Sequence, residues 1–276
     1  MTTKHYWHAV ARVGDVGFKR PYRTWFNGTP IVLFNSARGW AALADRCPHR
    51  HVELSKGRVI NGEIECPYHG WRFDGAGQCT QVPGLVGPCP KLFVPQLRVT
   101  AAEGVLFVSN GVPDAPPYTH PLAGKPAVVR LVRSDTQTTL VDSAENILDA
   151  THTHFTHKGL LRGLTAQRAL VSVKVTGGDD WVEADYRGEE RQNGVVSRLF
   201  EQGRVKTIGR YRHPGITELE YWGPKGLTLA TTFHLRATAP GQVEGIGFLA
   251  GEGRGVLSIL KSLAFPLLFR IALEQD

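Results

Sequence analysis

The sequence predicts an α+β protein of two domains: an all-β first domain, then helices packed on one antiparallel sheet. Three observations carry the prediction. Up to Val108 the chain is a series of short apolar runs punctuated by Gly, Pro, Asn and Asp, the pattern of strands joined by tight turns. Residues 110–126 hold five prolines and no periodic apolar pattern, as in a linker or a long crossing loop. Beyond that gap, apolar and polar residues alternate over longer runs, with helical segments before and after them. A length of 276 residues leaves room for two domains, each with its own core.

Taken in order, residues 31–34, 40–43 and 104–108 read as strands of the first domain, and the boundary divides the chain into 1–115 and 116–276. Residues 128–132 and 138–141 read as two further strands, followed by a helix starting near Ser143. Segments 170–175, 181–186, 205–211, 217–222, 227–235 and 243–249 alternate well enough to form one antiparallel sheet. Residues 256–273 read as a closing helix. Lys261, Pro266 and Arg270 interrupt its apolar run, so it is expected to be buried and amphipathic rather than membrane-spanning.

Hydrophobic residues make up 42% and charged residues 21%, with mean hydropathy −0.18, the balance of a globular protein rather than a disordered or membrane one. The first eight residues lack an apolar segment of the secretory kind, and the expected location is the cytoplasm. The net charge is +7, but Lys and Arg are scattered and show no nucleic-acid-binding pattern. Arg46, Arg50, Lys56, Arg58 and Arg72 cluster in sequence around two cysteines, as a docking face for an acidic electron donor would.

Cys47-Pro48-His49 is followed, with sixteen residues between, by Cys66-Pro67-Tyr68-His69-Gly70-Trp71. Each half offers one thiolate and one imidazole. Such a set could bind zinc, but zinc pairs usually follow Cys-x(2–4)-Cys and His-x(3–5)-His spacing. A 2Fe-2S cluster with two cysteines on one iron and two histidines on the other needs one Cys and one His from each loop. The stretch resembles the Rieske family, whose pattern is Cys-x-His, a gap, then Cys-x-x-His. The resemblance implies that Cys47 and Cys66 hold the inner iron, and His49 and His69 the outer one. Val52 and Tyr68 stand where respiratory Rieske proteins resemble one another in carrying two extra cysteines, and Trp71 stands where those proteins have Ser. A lower-potential, oxygenase-like cluster is implied. Cys79 and Cys89 lack a paired motif and read as small hydrophobic residues.

Residues 145–157 hold two acids and three histidines. Asn146, Asp149 and His152 are spaced three apart, so on a helix they share a face. His157 lies five beyond His152, about 140° round an ideal helix, so both reach one ion only if the helix ends or bulges between them. His154 fits neither spacing. Two histidines and a carboxylate with open positions make the facial triad of non-haem Fe(II) oxygenases. The stretch resembles the Asn-x-x-Asp-x-x-His-x(4)-His element of ring-hydroxylating and demethylating Rieske oxygenases, dense from Trp25 to His157 and thin afterwards.

That resemblance implies a helix-grip (START-like) catalytic domain, with His152 and His157 as ligands of a mononuclear Fe(II). It also implies that Asn146 and Asp149 serve catalysis, Asp149 coupling the two centres across neighbouring subunits of a homotrimer. The third ligand in the family is a late carboxylate, and Asp276 is the expected one. A ligand at the last residue would fray, so the natural chain is expected to continue beyond it. Phe200, Tyr211, Trp222 and Phe233 are candidates for lining an apolar pocket. Gly251-Glu252-Gly253-Arg254-Gly255 fails the Gly-x-Gly-x-x-Gly spacing of a nicotinamide site. The family logic therefore supplies electrons from a separate NAD(P)H-dependent reductase or ferredoxin, with O2 and a small organic substrate meeting at the iron. The rival readings are a Rieske ferredoxin-like electron carrier with a non-catalytic ligand-binding domain, and a zinc-binding scaffold.

Overall fold

The computed structural model describes residues 4–149, 170–188 and 203–253. The chain divides into two compact units, Met1–Tyr118 and Thr119–Asp276. No helix among the described residues is long and apolar enough to cross a membrane.

The first unit is built from β1 (His8–Arg12), β2 (Tyr22–Phe26), β3 (Thr29–Ser36), β4 (Gly39–Ala44), β5 (Arg58–Ile60), β6 (Glu63–Glu65), β7 (Arg72–Phe73), β8 (Cys79–Gln81), β9 (Gln96–Ala102) and β10 (Val105–Ser109). One sheet runs β1-β10-β9-β4-β3-β2, and a smaller one runs β5-β6-β7-β8. The larger sheet curls on itself: Thr24 Oγ1 in β2 donates to the Val10 carbonyl in β1 at 2.9 Å, although these strands are the two ends of the sheet order.

Three connections of the first unit are two-residue hairpin turns. Asn27-Gly28, Asn61-Gly62 and Glu103-Gly104 all adopt positive φ at both positions, the geometry that matches strand twist and that Asn-Gly favours. The unbroken apolar run in β3 has a physical explanation. Val32 and Phe34 pack into the core around Cys47 and Cys66, while Ile31 and Leu33 pack into the core of the curled sheet. A strand buried on both faces has no polar side to alternate with. Each large apolar side chain buried there contributes about 1.5–3 kcal/mol.

The second unit contains β11 (Ala127–Thr136), α1 (Leu140–Leu148), β12 (Ser172–Gly177), β13 (Trp181–Arg187), β14 (Lys206–Arg212), β15 (Ile216–Gly223), β16 (Gly226–Ala239) and β17 (Gln242–Glu252). They form an antiparallel sheet, β11-β17-β16-β15-β14-β13-β12. Leu140, Ala144 and Ile147 of α1 pack against Val132, Tyr211, Phe233, Leu235 and Val243 on one face of that sheet. Gly247 allows this packing, because a Cβ there would stand 2.5 Å from the Phe233 ring.

Residues 138–141, expected as a strand, instead start the helix. Thr139 is the cap: its Oγ1 accepts the Asp142 N–H at 3.1 Å and donates to Asp142 Oδ2 at 2.7 Å. A satisfied cap outweighs the weak strand preference of Thr and Val. The helix expected near Ser143 therefore begins three residues earlier. It stops at Leu148, so Asp149 is its C-cap, with extended backbone, rather than a member of a continuing helical face. The expected closing helix, residues 256–273, lies outside the described residues.

Candidate metal centres

Cys47 and Cys66 open two loops with the same backbone bonding. In the first, the His51 N–H donates to the Cys47 carbonyl at 2.8 Å and the Cys47 N–H to the Val52 carbonyl at 2.9 Å. In the second, the Gly70 N–H donates to the Cys66 carbonyl at 3.1 Å and the Cys66 N–H to the Trp71 carbonyl at 2.8 Å. The fourth residue after each cysteine turns through positive φ, 60° at His51 and 71° at Gly70. Each turn thus sets a thiol at its base and an imidazole two or three residues on, near its crest.

The geometry separates the donors by chemistry. Cys47 and Cys66 are buried, 2% and 3% exposed, in a core that includes Phe34, Leu43, Leu54, Ile64 and Phe73. His49 is half-buried and His69 exposed, their ring centroids 4.9 Å apart. Burial pushes the Cys47 thiol up, and the neighbouring Cys66 pushes it further. Partial desolvation, followed by the charges of His69 and Arg50, lowers the His49 imidazole. Two thiols buried side by side in an apolar core suit a partner bringing its own positive charge, which an iron–sulfur cluster does.

Aromatic rings hold the two imidazoles. Trp71 stacks on His49 with centroids 4.5 Å apart and 10° between planes, and Tyr68 lies against His69 at 3.9 Å. Beneath the first loop, buried Asp45 accepts the Ser55 N–H and hydroxyl, both at 2.7 Å, and pairs with Arg23 at 3.4 Å. Beneath the second, Glu65 accepts from Arg58 and Arg72 at 2.7 and 2.9 Å. Burial would raise the Glu65 carboxyl, but those two guanidiniums hold it below the usual range. Sequence reasoning missed Asp45 and Glu65. Each precedes a loop cysteine by one or two residues, which was the available signal.

The second group is only partly described. Asn146, on α1, and Asp149 are exposed, while His152, His154, His157 and Asp276 lie outside the described residues. Tyr186 in β13 was not anticipated. Its hydroxyl donates to the Leu148 carbonyl at 3.5 Å, and burial, then the charge on Asp149, raises its pKa. The register that brings Tyr186 there is set by pairing with β12 and β14 and cannot be read locally.

Of the pocket candidates, Tyr211 and Phe233 pack on the α1 side of the sheet, and Phe200 lies outside the described residues. Trp222 belongs to the opposite face, where its indole N–H donates to Glu220 at 2.8 Å. That face carries a charge network: Arg210 pairs with Glu183 at 2.6 Å, with Glu220 at 2.8 Å, and with Glu218, which also accepts from Thr232. Burial opposes the Arg210 charge, but the three carboxylates outweigh it and raise its pKa.

A curled β domain with a buried thiol pair and two imidazoles nearer solvent has the donor set that an iron–sulfur cluster needs. Residues 6–98 match the Rieske 2Fe-2S domain family, and this part of the chain belongs to it. The chain is 37% identical over 114 residues to the 4beta-methylsterol monooxygenase of Methylococcus capsulatus, covering 40% of this chain and 31% of that one. It is 29% identical over 221 residues to the 5,5'-dehydrodivanillate O-demethylase oxygenase subunit of Sphingobium, covering 75% and 50%. The matched segments thus span half or less of those relatives. Among solved structures, dicamba monooxygenase bound to 3,6-dichlorosalicylic acid superposes with a TM-score of 0.84 at 20% identity, over 97% of this chain and 83% of that one. The fold is therefore the expected one, a Rieske domain followed by an antiparallel-sheet domain.

Proposed function

We propose that this chain is the oxygenase component of a Rieske system, which hydroxylates or oxidatively demethylates an apolar, aromatic organic substrate. The observation that carries the reading is the coexistence of two modules. Cys47 lies beside Cys66 and His49 beside His69 on two like loops, and the same chain holds α1, with Asn146 and Asp149 at its end, against an apolar sheet face. A ferredoxin-like carrier needs only the first module. The kinds of relatives support the same choice.

Cys47 and Cys66 would hold the inner iron of the cluster, and His49 and His69 the outer one. His152, His157 and Asp276 are the proposed ligands of the mononuclear iron. The cluster would supply single electrons and the mononuclear iron the activation of O2. The chain's own residues do the positioning. Trp71 fixes the ring plane of His49, and the exposure of His69 gives electrons an outlet. Tyr186 stands beside Asp149, which couples the centres by accepting from His152 and from a neighbouring subunit's His69. That coupling makes the working unit a homotrimer. Tyr211 and Phe233 lie on the sheet face that would receive the substrate.

Arg46 and Arg50, both exposed, lead the docking face for an acidic donor, a reductase or ferredoxin in the same reducing cytoplasm. Lys56, Arg58 and Arg72 contribute less, since Glu53 and Glu65 pair with them. The test is iron and acid-labile sulfide analysis of the purified chain, with product analysis under O2 and a surrogate reductase. The oxygenase reading expects iron in excess of sulfide and oxygenated product. Iron equal to sulfide without product identifies an electron carrier, and zinc without sulfide a scaffold.

A further inference from the structure

Cys79 and Cys89 stand apart from the two ligand loops, and both are partly exposed and unbridged. They are close neighbours in space. Backbone bonds explain why. Gln78 bridges to Phe93, the Cys79 N–H donates to the Leu92 carbonyl at 3.1 Å, and the Val94 N–H donates to the Gly77 carbonyl at 2.8 Å. These contacts pinch the chain at the base of an excursion that leaves after Cys79 and returns by Leu92. The two cysteines sit at that pinch.

The excursion touches the ligand loops. Pro83 lies against Gly70, its Cγ 3.0 Å from where a Cβ would stand, and Gly70 directly follows His69. Val86, 99% exposed, marks its tip. At the inner end, Cys79 packs against the core that contains Cys47 and Cys66. A bond between the two sulfurs would therefore lock a solvent-facing segment that packs on Gly70, the residue after His69.

We propose that Cys79 and Cys89 are a reversible redox dithiol, oxidised by hydrogen peroxide to an internal disulfide that clasps the segment beside His69. The Cys89 sulfur attacks the peroxide, forming an S–O bond as the O–O bond breaks and releasing the first water. The Cys79 sulfur then displaces the oxygen of that sulfenic acid as the second water, forming the S–S bond. Two electrons pass from the thiols to the peroxide, and a small thiol reductant returns them. The order follows from position: Cys79 packs against the core and is the less accessible to a solvent-borne peroxide, whereas Cys89 directly follows the exposed Gly87 and Pro88. The chemistry at these sulfurs does not depend on the oxygenase reading.

The test uses the full chain with its cluster assembled, reduced, desalted and exposed to one equivalent of hydrogen peroxide. Free thiols are then blocked with N-ethylmaleimide and the digest is mapped without reduction. The proposal expects a peptide joining Cys79 to Cys89, lighter by two hydrogens, unlabelled, and reopened by dithiothreitol. Tryptic cleavage after Lys91 should slow by about tenfold or more, the scale of constraint that a short-loop disulfide brings. In Cys89→Ser, Cys79 should stay fully labelled and peroxide should leave cleavage unchanged. Equal labelling of both cysteines with and without peroxide, or peroxide protection persisting in Cys89→Ser, overturns the proposal. Oxygenase turnover enters none of these readouts, so failure here and failure of the oxygenase reading are separable.

Discussion

At the scale of single residues, the first centre rests on side chains that have no substitutes. Cys66 is buried beside Cys47 at the base of its turn. Alanine there removes a thiolate from the proposed ligand set. Cys66→Ala is expected to lose the visible absorption of the cluster, and a normal spectrum would remove this residue from the ligand set. Gly57 is constrained by space instead. A Cβ on it would lie 1.9 Å from the Glu65 carbonyl oxygen, a backbone atom one residue from Cys66. Gly57→Ala must move one loop away from the other, at a cost of about 1–3 kcal/mol. Thermal denaturation should show the lower midpoint, with weaker cluster retention; an unchanged midpoint would mean that the loops separate freely.

At the scale of elements, α1 depends on its first turn. Thr139 satisfies the Asp142 N–H, and the helix then lays Leu140, Ala144 and Ile147 on the sheet. Thr139→Ala is expected to cost about 1 kcal/mol, read in urea unfolding of the full chain, while Thr139→Ser should restore most of it. The sheet has its own dependency on the far side. Glu183, Glu218 and Glu220 converge on Arg210, and Glu218 is fully buried. Arg210→Met leaves carboxylates buried without their cation, a loss of about 3–5 kcal/mol. If the denaturation midpoint of that variant matched the parent, the network would be ornamental.

At the scale of the whole molecule, the proposed activity needs two centres to communicate through Asp149. That residue caps α1 and lies beside Tyr186. Carboxylates that orient a ligand histidine act through hydrogen bonds to its second ring nitrogen. Asp149→Asn keeps the shape and removes the charge. It is expected to retain full iron and the cluster spectrum while turnover falls by about 10–100-fold. A variant as active as the parent would place the coupling elsewhere.

The sequence alone picked out the side chains proposed for the first centre, because each proposed ligand pair lies within one short turn and the two turns repeat. It also determined the hairpins at Asn27-Gly28 and Asn61-Gly62, whose conformation is a property of the dipeptide. The two-domain order and the antiparallel second sheet were legible for a similar reason, since alternation is written along each strand. Tertiary structure decided the rest. Residues 138–141 become helix because Thr139 finds Asp142 and Leu140 finds the sheet. Trp222 faces away from α1, and Tyr186 reaches Leu148, because strand register fixes the side on which each residue falls. Arg210 meets its three glutamates, and Cys79 meets Cys89, only after separate backbone segments have paired. Those contacts join residues that carry no local mark of one another, so spacing along the chain does not announce them.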